Sequence, residues 1–484
     1  MILGDGEPVG ADGPTLDGLF RRAGVRDPHA PALADPPDRE RFADGAPRRL
    51  TFAQADHAIS AFAARLCTLG LKADAVIGLQ LPNTVESVVA LLGTLRAGMI
   101  AAPMPLLWRG HEMREALARV GASAIVTADR IGNVPHAEIA MQVAADLFPI
   151  RQVCAFGAGS CDGIVPLDDV FAAHAVDALS MVRDCAADHI AVVTFESGTA
   201  GLMPRARNHA QLIAGGRAIA AESGIAPGSD ILTAVPFTSF AACSAALVPW
   251  LIAGGTLHLH HAFDASAFAA QCGALDGGTV VVPGPALDAL AHSIGPLPSV
   301  IALWRAPEQM TSGEELQSGV IDVACFGEVG CISTQRSADG SMLPLPCGWN
   351  TVQTKHGTLA MRGLSVPTRA FPADASEPVS DGFVDTGFAC RIDHERGTLA
   401  VTAGPPGTIA VGAYRFRRDD LDARIADTRA DAVIAPLPDA LLGDRLAGRG
   451  SDPVQIAQAL ERRGLNPLIA NAFRPRPAVE SKSH

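Results

Sequence analysis

Lysine is scarce in this chain of 484 residues. It occurs only at Lys72, Lys355 and Lys482, so arginine supplies most of the 38 basic residues, which face 51 acidic ones. The formal net charge is −13, whereas general nucleic-acid binding requires a basic surface. We therefore expect no nucleic-acid partner.

The sequence also lacks a long apolar run, an export signal and closely paired cysteines. No stretch of about 18 uninterrupted apolar residues occurs, so we expect no membrane span. Residues 1–14 are acidic and glycine-rich, which is not typical of a secretory signal. The ten cysteines include no C-x-x-C pair and are expected to be reduced thiols, which predicts a cytoplasmic location.

Apolar residues are abundant enough for a large core, at 48% of the chain against 18% charged residues. The length predicts two to four domains at roughly 100–200 residues each, and this composition excludes disorder as the dominant state. Segments 53–70 and 84–97 have helical spacing, whereas 75–81 and 123–128 have the pattern of buried strands. This alternation predicts a doubly wound α/β layer.

Further along the chain the pattern continues and then changes. Five more apolar runs have strand character: 190–195, 230–237, 256–261, 278–283 and 300–304. From Leu359 onward the strands are short and separated by glycine and proline, and 403–408 (AGPPGT) is typical of a turn or hinge. We therefore predict a large domain at 1–393, a small one at 394–478 and a polar tail at 479–484.

The stretch from Thr194 to Arg205 directly follows a buried strand and is rich in hydroxyl groups and glycine. Loops of this kind expose backbone N–H groups that can hold phosphate, although many such turns are plain connections. The residues in this stretch that we expect at a phosphate are Thr194, Ser197, Gly198, Thr199, Gly201 and Arg205.

This stretch, SGTAGLMPRA, resembles the phosphate loop of the adenylate-forming superfamily, which includes acyl-CoA synthetases, peptide-synthetase adenylation domains and luciferases. Further family-like segments lie at 78–106, 234–257, 280–290, 357–363 and 381–388. The resemblance implies a large α/β domain of layered sheets and helices with a small C-terminal α+β domain. It also implies ATP- and Mg²⁺-dependent activation of a carboxylic acid or acyl group, followed by transfer to coenzyme A, as in fatty-acid metabolism.

The resemblance assigns roles to individual residues, and several of them depart from the family pattern. Arg205, for which we expect a catalytic role, stands where the family has a lysine in the phosphate loop. The pair Phe326-Gly327 corresponds to the aromatic-glycine pair beside adenine, but the following Thr-Glu is missing. Glu328 lies two positions early, so it is either a displaced Mg²⁺ ligand with a catalytic role or a polar loop residue.

The resemblance also assigns a ribose position, a strand end beside adenine and a hinge, and the first and the last depart from the family pattern. Phe388 replaces the aspartate that accepts hydrogen bonds from the ribose hydroxyls, and a phenyl ring can accept none. Ala306-Pro307 match the strand end beside adenine. Pro405-Pro406 stand at the hinge, where proline restricts the backbone, so we predict that the small domain keeps one fixed position.

The small domain is expected to be reduced. The family has a lysine near the end of this domain, and here only Arg474 or Arg476 could replace it. No strand is recognisable after Arg445, so we expect that strand to be missing.

The implied acid pocket involves 236–244 and 304–308. Phe237, Ser239, Phe240 and Trp304 in these segments indicate an apolar acid. Two smaller features fit simpler interpretations. His258, His260 and His261 follow a strand and are expected to be solvated rather than metal-bound, and Cys325 and Cys331, on either side of Phe326-Gly327-Glu328, are expected to pack.

Two functions remain open at this point. One is an acyl-CoA synthetase-like ligase with weakened catalysis. The other is a pseudoenzyme that binds an acyl group or nucleotide, or serves as a scaffold for a protein partner or a second copy. Removing one preorganised electrostatic group costs roughly 10²–10³ in rate, so several losses together favour the pseudoenzyme.

Overall fold

A computed structural model describes residues 13–157, 162–172, 185–198, 201–261, 263–275, 277–287, 290, 299–310, 319–336, 342–346, 351–355, 357–367, 371–372, 381–412, 414–428, 431–439 and 442–474. The strands of the first part are β1 (Pro31–Ala34), β2 (Arg49–Thr51), β3 (Val76–Gln80), β4 (Ile100–Pro103), β5 (Ala124–Ala128), β6 (Gln152–Phe156), β7 (Val165–Pro166), β8 (Ile190–Gly198), β9 (Gly201–Asn208), β10 (Ile231–Thr233), β11 (Leu257–Leu259), β12 (Thr279–Pro283) and β13 (Ser299–Trp304).

The strands of the second part are β14 (Val320–Phe326), β15 (Gly330–Gln335), β16 (Met342–Pro344), β17 (Thr351–Lys355), β18 (Thr358–Arg362), β19 (Val384–Asp393), β20 (Thr398–Ala403), β21 (Thr408–Val411), β22 (Tyr414–Arg417), β23 (Ala432–Asp439) and β24 (Gly443–Gly450). The helices are α1 (Leu16–Arg26), α2 (Phe52–Thr68), α3 (Val85–Arg96), α4 (Gly110–Val120), α5 (His136–Asp146), α6 (His209–Glu222), α7 (Phe240–Ala242), α8 (Val248–Ala253), α9 (Ala265–Gly273), α10 (Arg418–Ala426), α11 (Pro453–Arg462) and α12 (Pro467–Asn471). A π-helical turn, Cys243–Leu247, joins α7 to α8.

Two large sheets form the body of the protein. One has seven strands in the order β7-β6-β5-β3-β4-β8-β9, and the other has eight in the order β15-β14-β13-β12-β10-β11-β1-β2. Their inner strands pair in parallel, whereas the pairs β8–β9, β14–β15 and β1–β2 are antiparallel. The predicted α/β class with layered sheets and helices is confirmed.

Helices α2 and α3 pack against each other within the main core. Thr51 and Gln54 form a reciprocal cap that starts α2, because each side chain accepts a backbone N–H of the other residue. The helices approach closely at Gly93, where an added Cβ would lie 2.6 Å from the Phe62 ring. Arg96 at the end of α3 forms a buried ion pair with Asp17 of α1, with 2.7 Å between Nη2 and Oδ1.

A third, antiparallel sheet has the order β16-β20-β19-β18-β17. Strand β20 pairs with β19 in it, so the domain boundary predicted at residue 394 falls inside a hairpin of this sheet. The segment with its own core begins later, at β21, and that core includes Ile409, Leu421 and Ile434. We call 408–474 the small domain.

The prediction that the small domain lacks the strand after Arg445 is wrong. Strand β24 spans Gly443–Gly450 and pairs with β23 along its whole length. Only Leu446 of this strand is buried, so it lacks the apolar alternation by which strands are recognised in a sequence.

The small domain is held to the large one by polar contacts. The Glu112 carboxylate accepts the backbone N–H of Asn466 at 3.2 Å and lies 3.5 Å from the Arg424 guanidinium. The Gln309 amide donates to Asp444 at 2.7 Å. No helix among the described residues is both long and apolar enough to cross a membrane.

Candidate functional site

The predicted phosphate segment is an antiparallel hairpin rather than an open loop. Thr194 lies opposite Arg205, and Gly198 lies opposite Gly201 at the tip. Backbone groups of these strands are therefore used in the ladder instead of facing a ligand. Thr199 lies outside the described residues.

A carboxylate of the protein reaches the tip of this hairpin. Glu115 of α4 accepts the backbone N–H of Leu202 at 2.7 Å. Gly201 has φ +96°, and a Cβ there would lie 2.1 Å from the Glu115 Oε1 atom. An anionic group of the chain itself thus takes an N–H group of the kind that would hold phosphate.

Arg205 forms an ion pair across the hairpin with Glu196. Its Nε and Nη2 atoms lie 2.6 and 2.5 Å from Glu196 Oε1. The second carboxylate oxygen, Oε2, accepts the backbone N–H of Glu328 at 2.9 Å. Glu196, which the sequence analysis did not single out, therefore joins the hairpin to the turn between β14 and β15.

That turn contains Phe326, Gly327 and Glu328. Gly327 has φ +59°, and a Cβ there would lie 2.5 Å from Glu196 Oε2, so glycine lets the carboxylate approach. Phe326 is fully buried beneath the turn. The predicted aromatic-glycine pair is thus a packed turn that the hairpin covers.

Glu328 is fully buried and both of its carboxylate oxygens have partners. Oε2 accepts the backbone N–H of Phe240 at 2.7 Å, and Oε1 accepts Arg305 Nη1 at 2.9 Å. This arrangement does not fit a Mg²⁺ ion, which needs exposed oxygen ligands and keeps several waters. Within the described ranges, no three or more His, Cys, Asp and Glu side chains form a group that could hold a metal.

Arg207 is a buried cation beside this turn that the sequence analysis missed. Its guanidinium lies 3.7 Å above the Phe240 ring and donates to the backbone carbonyls of Glu328, Val329 and Ser365. Nη1 has no hydrogen-bond partner in the part of the chain that the structure describes. Burial lowers the pKa of Arg207 to about 10. An arginine inside a buried strand pattern is the one signal that could have revealed it.

Phe388 packs on Phe326 at the position that the resemblance assigns to ribose. The rings meet edge to face with centroids 5.4 Å apart, and Phe388 is 1% exposed. Asp385, three residues earlier, accepts hydrogen bonds from the Thr358 hydroxyl and from the Gly387 backbone instead. The described residues therefore do not fit a ribose, because apolar rings fill the place of its acceptor.

The four predicted pocket residues divide between two faces of the eight-stranded sheet. Phe237 and Phe240 belong to the main core, and Ser239 caps α7 by accepting the Ala242 N–H. Trp304 packs in a different core cluster, where its indole N–H donates to Asp322 at 2.7 Å. The structure does not bring Trp304 together with Phe237 and Phe240.

Ala306 and Pro307 are buried at the end of β13 and lead into a short 3-10 turn, Pro307–Gln309. Glu308 in this turn accepts Arg415 Nη2 of the small domain at 3.0 Å. The Arg415 backbone carbonyl in turn accepts the Ser197 hydroxyl at 2.7 Å. Strand β22 of the small domain therefore bridges the predicted phosphate and adenine segments.

The remaining candidates are structural. His258 hydrogen bonds to Asp230 and His260 to Gln271, and the expectation of solvated histidines is wrong for His260, which is 1% exposed. Arg474 forms an exposed ion pair with Glu461. Arg476 lies outside the described residues.

Comparisons with known proteins agree on one family. The family model described as "AMP-binding enzyme" matches residues 20–320. A relative from Streptomyces sp, a salicylyl-CoA synthase / salicylate adenylyltransferase, is 26% identical over 449 residues, which cover 82% of this chain and 79% of the relative.

Solved structures share the whole fold at low identity. The amide bond synthetase McbA from Marinactinospora thermotolerans has a TM-score of 0.72 at 17% identity, over 93% of this chain and 94% of that one. The apo structure of MbtA from Mycobacterium smegmatis has a TM-score of 0.65 at 22% identity, over 95% and 90% of the two chains. These likenesses extend the shared architecture to the small domain.

Proposed function

Because this chain belongs to the AMP-binding enzyme family, we propose that it is a pseudoenzyme of that family. It binds a small carboxylic acid or acyl group and does not form an acyl adenylate from ATP and Mg²⁺. Its family links it to adenylating ligases of acyl and aryl acids, and the departures at its site set it apart from them. We also propose a cytoplasmic location, because the ten scattered cysteines include no C-x-x-C pair.

The observation that carries this proposal is the environment of Glu328. Glu328 is fully buried, so a Mg²⁺ ion and its waters could reach the carboxylate only if Glu328 gave up its bond to the Phe240 N–H or to Arg305. Buried donors left without an acceptor each cost about 1–3 kcal/mol, and more when they are charged. Metal binding at this carboxylate is therefore disfavoured.

Two further contacts support the loss of nucleotide chemistry. The Arg205 guanidinium is neutralised by Glu196 at 2.5 Å, so a phosphate would have to compete with a carboxylate that is already in place. Phe388 and Phe326 form an apolar pair where ribose would need an acceptor. Glu328, Arg205 and Phe388 are unsuited to metal, phosphate and ribose for separate reasons. One compensating change would therefore not restore all three functions.

Binding of an acid or acyl group is supported by Arg207 and Phe240. The aromatic ring offers an apolar wall, and the guanidinium above it is a buried cation with one hydrogen-bonding group unused among the described residues. Buried cations are stabilised by anionic partners. A carboxylate-bearing apolar molecule has both features that such a site favours.

Calorimetry and pyrophosphate exchange test the proposal together. We expect ATP·Mg²⁺ to bind with a Kd of about 1 mM or weaker. Pyrophosphate exchange in the presence of aryl or fatty acids should stay at the background rate. Acid binding should be detectable without ATP, and Arg207→Gln should lose it while the matched variant Arg336→Gln should not, because Arg336 is also buried but pairs with Asp322. A low-micromolar Kd for ATP·Mg²⁺ would contradict the proposal.

A working ligase is the second candidate, and the position of Arg205 in the phosphate hairpin favours it. In that case Arg205 must leave Glu196 and take the phosphate contact, since arginine can hold phosphate bidentately. Arg205→Ala should then abolish pyrophosphate exchange. The acid would be passed to coenzyme A, the acceptor that the name of the Streptomyces relative, a salicylyl-CoA synthase, gives for that protein.

A further inference from the structure

Cys325 and Cys331 face each other across the antiparallel pair β14–β15. They are direct partners in the register, immediately outside the pair Phe326 and Gly330. Opposed residues in antiparallel strands have Cα atoms ~4.5 or ~5.5 Å apart, and disulfides span ~4.4–6.8 Å. The backbone therefore already has a separation that a disulfide can bridge.

The two sulfur atoms are also neighbours. A hydrogen bond with the Cys325 thiol is the largest cause that raises the pKa of Cys331. The Cys325 thiol itself donates to the Val323 carbonyl at 3.4 Å, which leaves its sulfur available as an acceptor. Both residues are reduced in this structure.

The two thiols differ in access. Cys325 is fully buried, whereas Cys331 is partly exposed. A small reagent can therefore meet Cys331 first, and Cys325 is its partner on the neighbouring strand.

We propose that Cys325 and Cys331 form a reversible intramolecular disulfide, with Cys331 as the reacting thiol and Cys325 as the resolving one. The oxidant is a low-molecular-weight disulfide such as oxidised glutathione. No function for either cysteine follows from the nucleotide or acid chemistry discussed above, so the proposal stands apart from the proposed function.

The thiol–disulfide exchange takes place in two steps. Cys331 loses its proton, which its raised pKa makes slow at neutral pH, and the thiolate attacks the oxidant, whose S–S bond breaks and releases one thiolate, which leaves a mixed disulfide. Cys325 then loses its proton and attacks the Cys331 sulfur, which releases the second thiolate. Two protein thiols are oxidised to one S–S bond, and one small disulfide is reduced to two thiols.

The new bond would tie β14 to β15 around the turn that organises the site. The Glu328 N–H in this turn donates to Glu196, and the Glu328 and Val329 carbonyls accept Arg207. A covalent link at the base of the turn restricts its opening. In the oxidised protein the turn should therefore separate from Glu196 and from Arg207 less often, and the Glu328 N–H should exchange with solvent more slowly.

Peptide mass spectrometry on the full-length chain tests this proposal. The reduced protein is incubated with oxidised glutathione, blocked with N-ethylmaleimide and cut without reduction by a glutamate-specific protease and trypsin, which separate Cys325 from Cys331 at Glu328 and Cys331 from Cys347 at Arg336. We expect the peptides of Cys325 and Cys331 to be joined, and the reducing agent dithiothreitol to release them. Glutathione adducts on Cys331 without the joined peptides would overturn the proposal, as would a link from either cysteine to a different one.

Two variants separate the roles. In Cys325→Ser the reaction should stop at a stable glutathione adduct on Cys331, and in Cys331→Ser Cys325 should stay unmodified in the folded protein. Cys67 on α2 is also partly exposed, and Cys67→Ser should leave the joined peptides unchanged. Adduct formation on Cys325 in folded Cys331→Ser, checked by an unchanged melting temperature, would overturn the assigned order.

Discussion

The Glu196 carboxylate accepts two hydrogen bonds from the Arg205 guanidinium across the β8–β9 hairpin, at 2.5 and 2.6 Å. The pair is mostly buried, with 8% and 19% of the side chains exposed. The cation in the predicted phosphate segment is thereby neutralised by a residue nine positions earlier in the chain.

Replacing Glu196 should release this cation. We expect Glu196→Gln to bind inorganic pyrophosphate about tenfold more tightly than the unmodified chain, because a charge-assisted hydrogen bond contributes about 1.5–3 kcal/mol. Calorimetry measures the change, with the exposed Glu222→Gln as control. An unchanged pyrophosphate affinity in a folded Glu196→Gln would show that Arg205 is not held back by this pair.

Phe388→Asp should not restore a nucleotide site. The new carboxylate would be buried against Phe326, so we expect the free energy of unfolding to fall by about 3–5 kcal/mol. Phe388→Leu keeps the apolar contact and should cost less than about 1.5 kcal/mol. Urea unfolding measures both variants, and a Phe388→Asp that is stable and binds AMP would contradict the apolar assignment of this position.

The chain should lose stability in acid through its buried histidines. Burial lowers the pKa of both His136 and His209 to about 3, from a usual value near 6.5. Between these values the unfolded chain binds protons that the folded chain does not, so stability falls as the pH drops below about 6.5. By pH 5 the loss is about 2 kcal/mol for each group.

His209 allows this loss to be assigned. Its Nδ1 accepts the Leu16 N–H at 3.2 Å, and Asn can supply an acceptor without titrating. His209→Asn should therefore reduce the slope of stability against pH between 6.5 and 5 in urea unfolding. The exposed His29→Asn should leave the slope as it is. An equal slope in His209→Asn would mean that other groups cause the acid sensitivity.

The small domain should keep one position on the large domain. Ser197, Glu308 and Glu112 hold it through Arg415, Asn466 and Arg424. Small-angle scattering with and without ATP and a candidate acid should give the same profile. A ligand-dependent rotation of the small domain would contradict this and favour the working ligase.

The sequence singled out the segment 194–205, the Phe326–Glu328 turn and Phe388, because each lies in a short segment with its own residue pattern, but it predicted an open loop where the structure has a hairpin. It did not reveal what these segments contact. Glu196 meets Glu328 132 residues away, and Ser197 meets Arg415 218 residues away. Contacts between residues so far apart in the chain produce no local pattern in the sequence. Glu196, Arg207 and Arg415 could therefore be recognised only from the folded structure.

Tyr414 is the only tyrosine of the chain and lies in β22, the strand that bridges the two domains. Burial raises the pKa of its hydroxyl, which hydrogen bonds to the Leu107 backbone of the large domain. The protein thus contains a natural optical probe of domain docking. Ionisation of this single phenol in alkaline solution, followed by its ultraviolet difference spectrum, reports separation of the two domains without any introduced label.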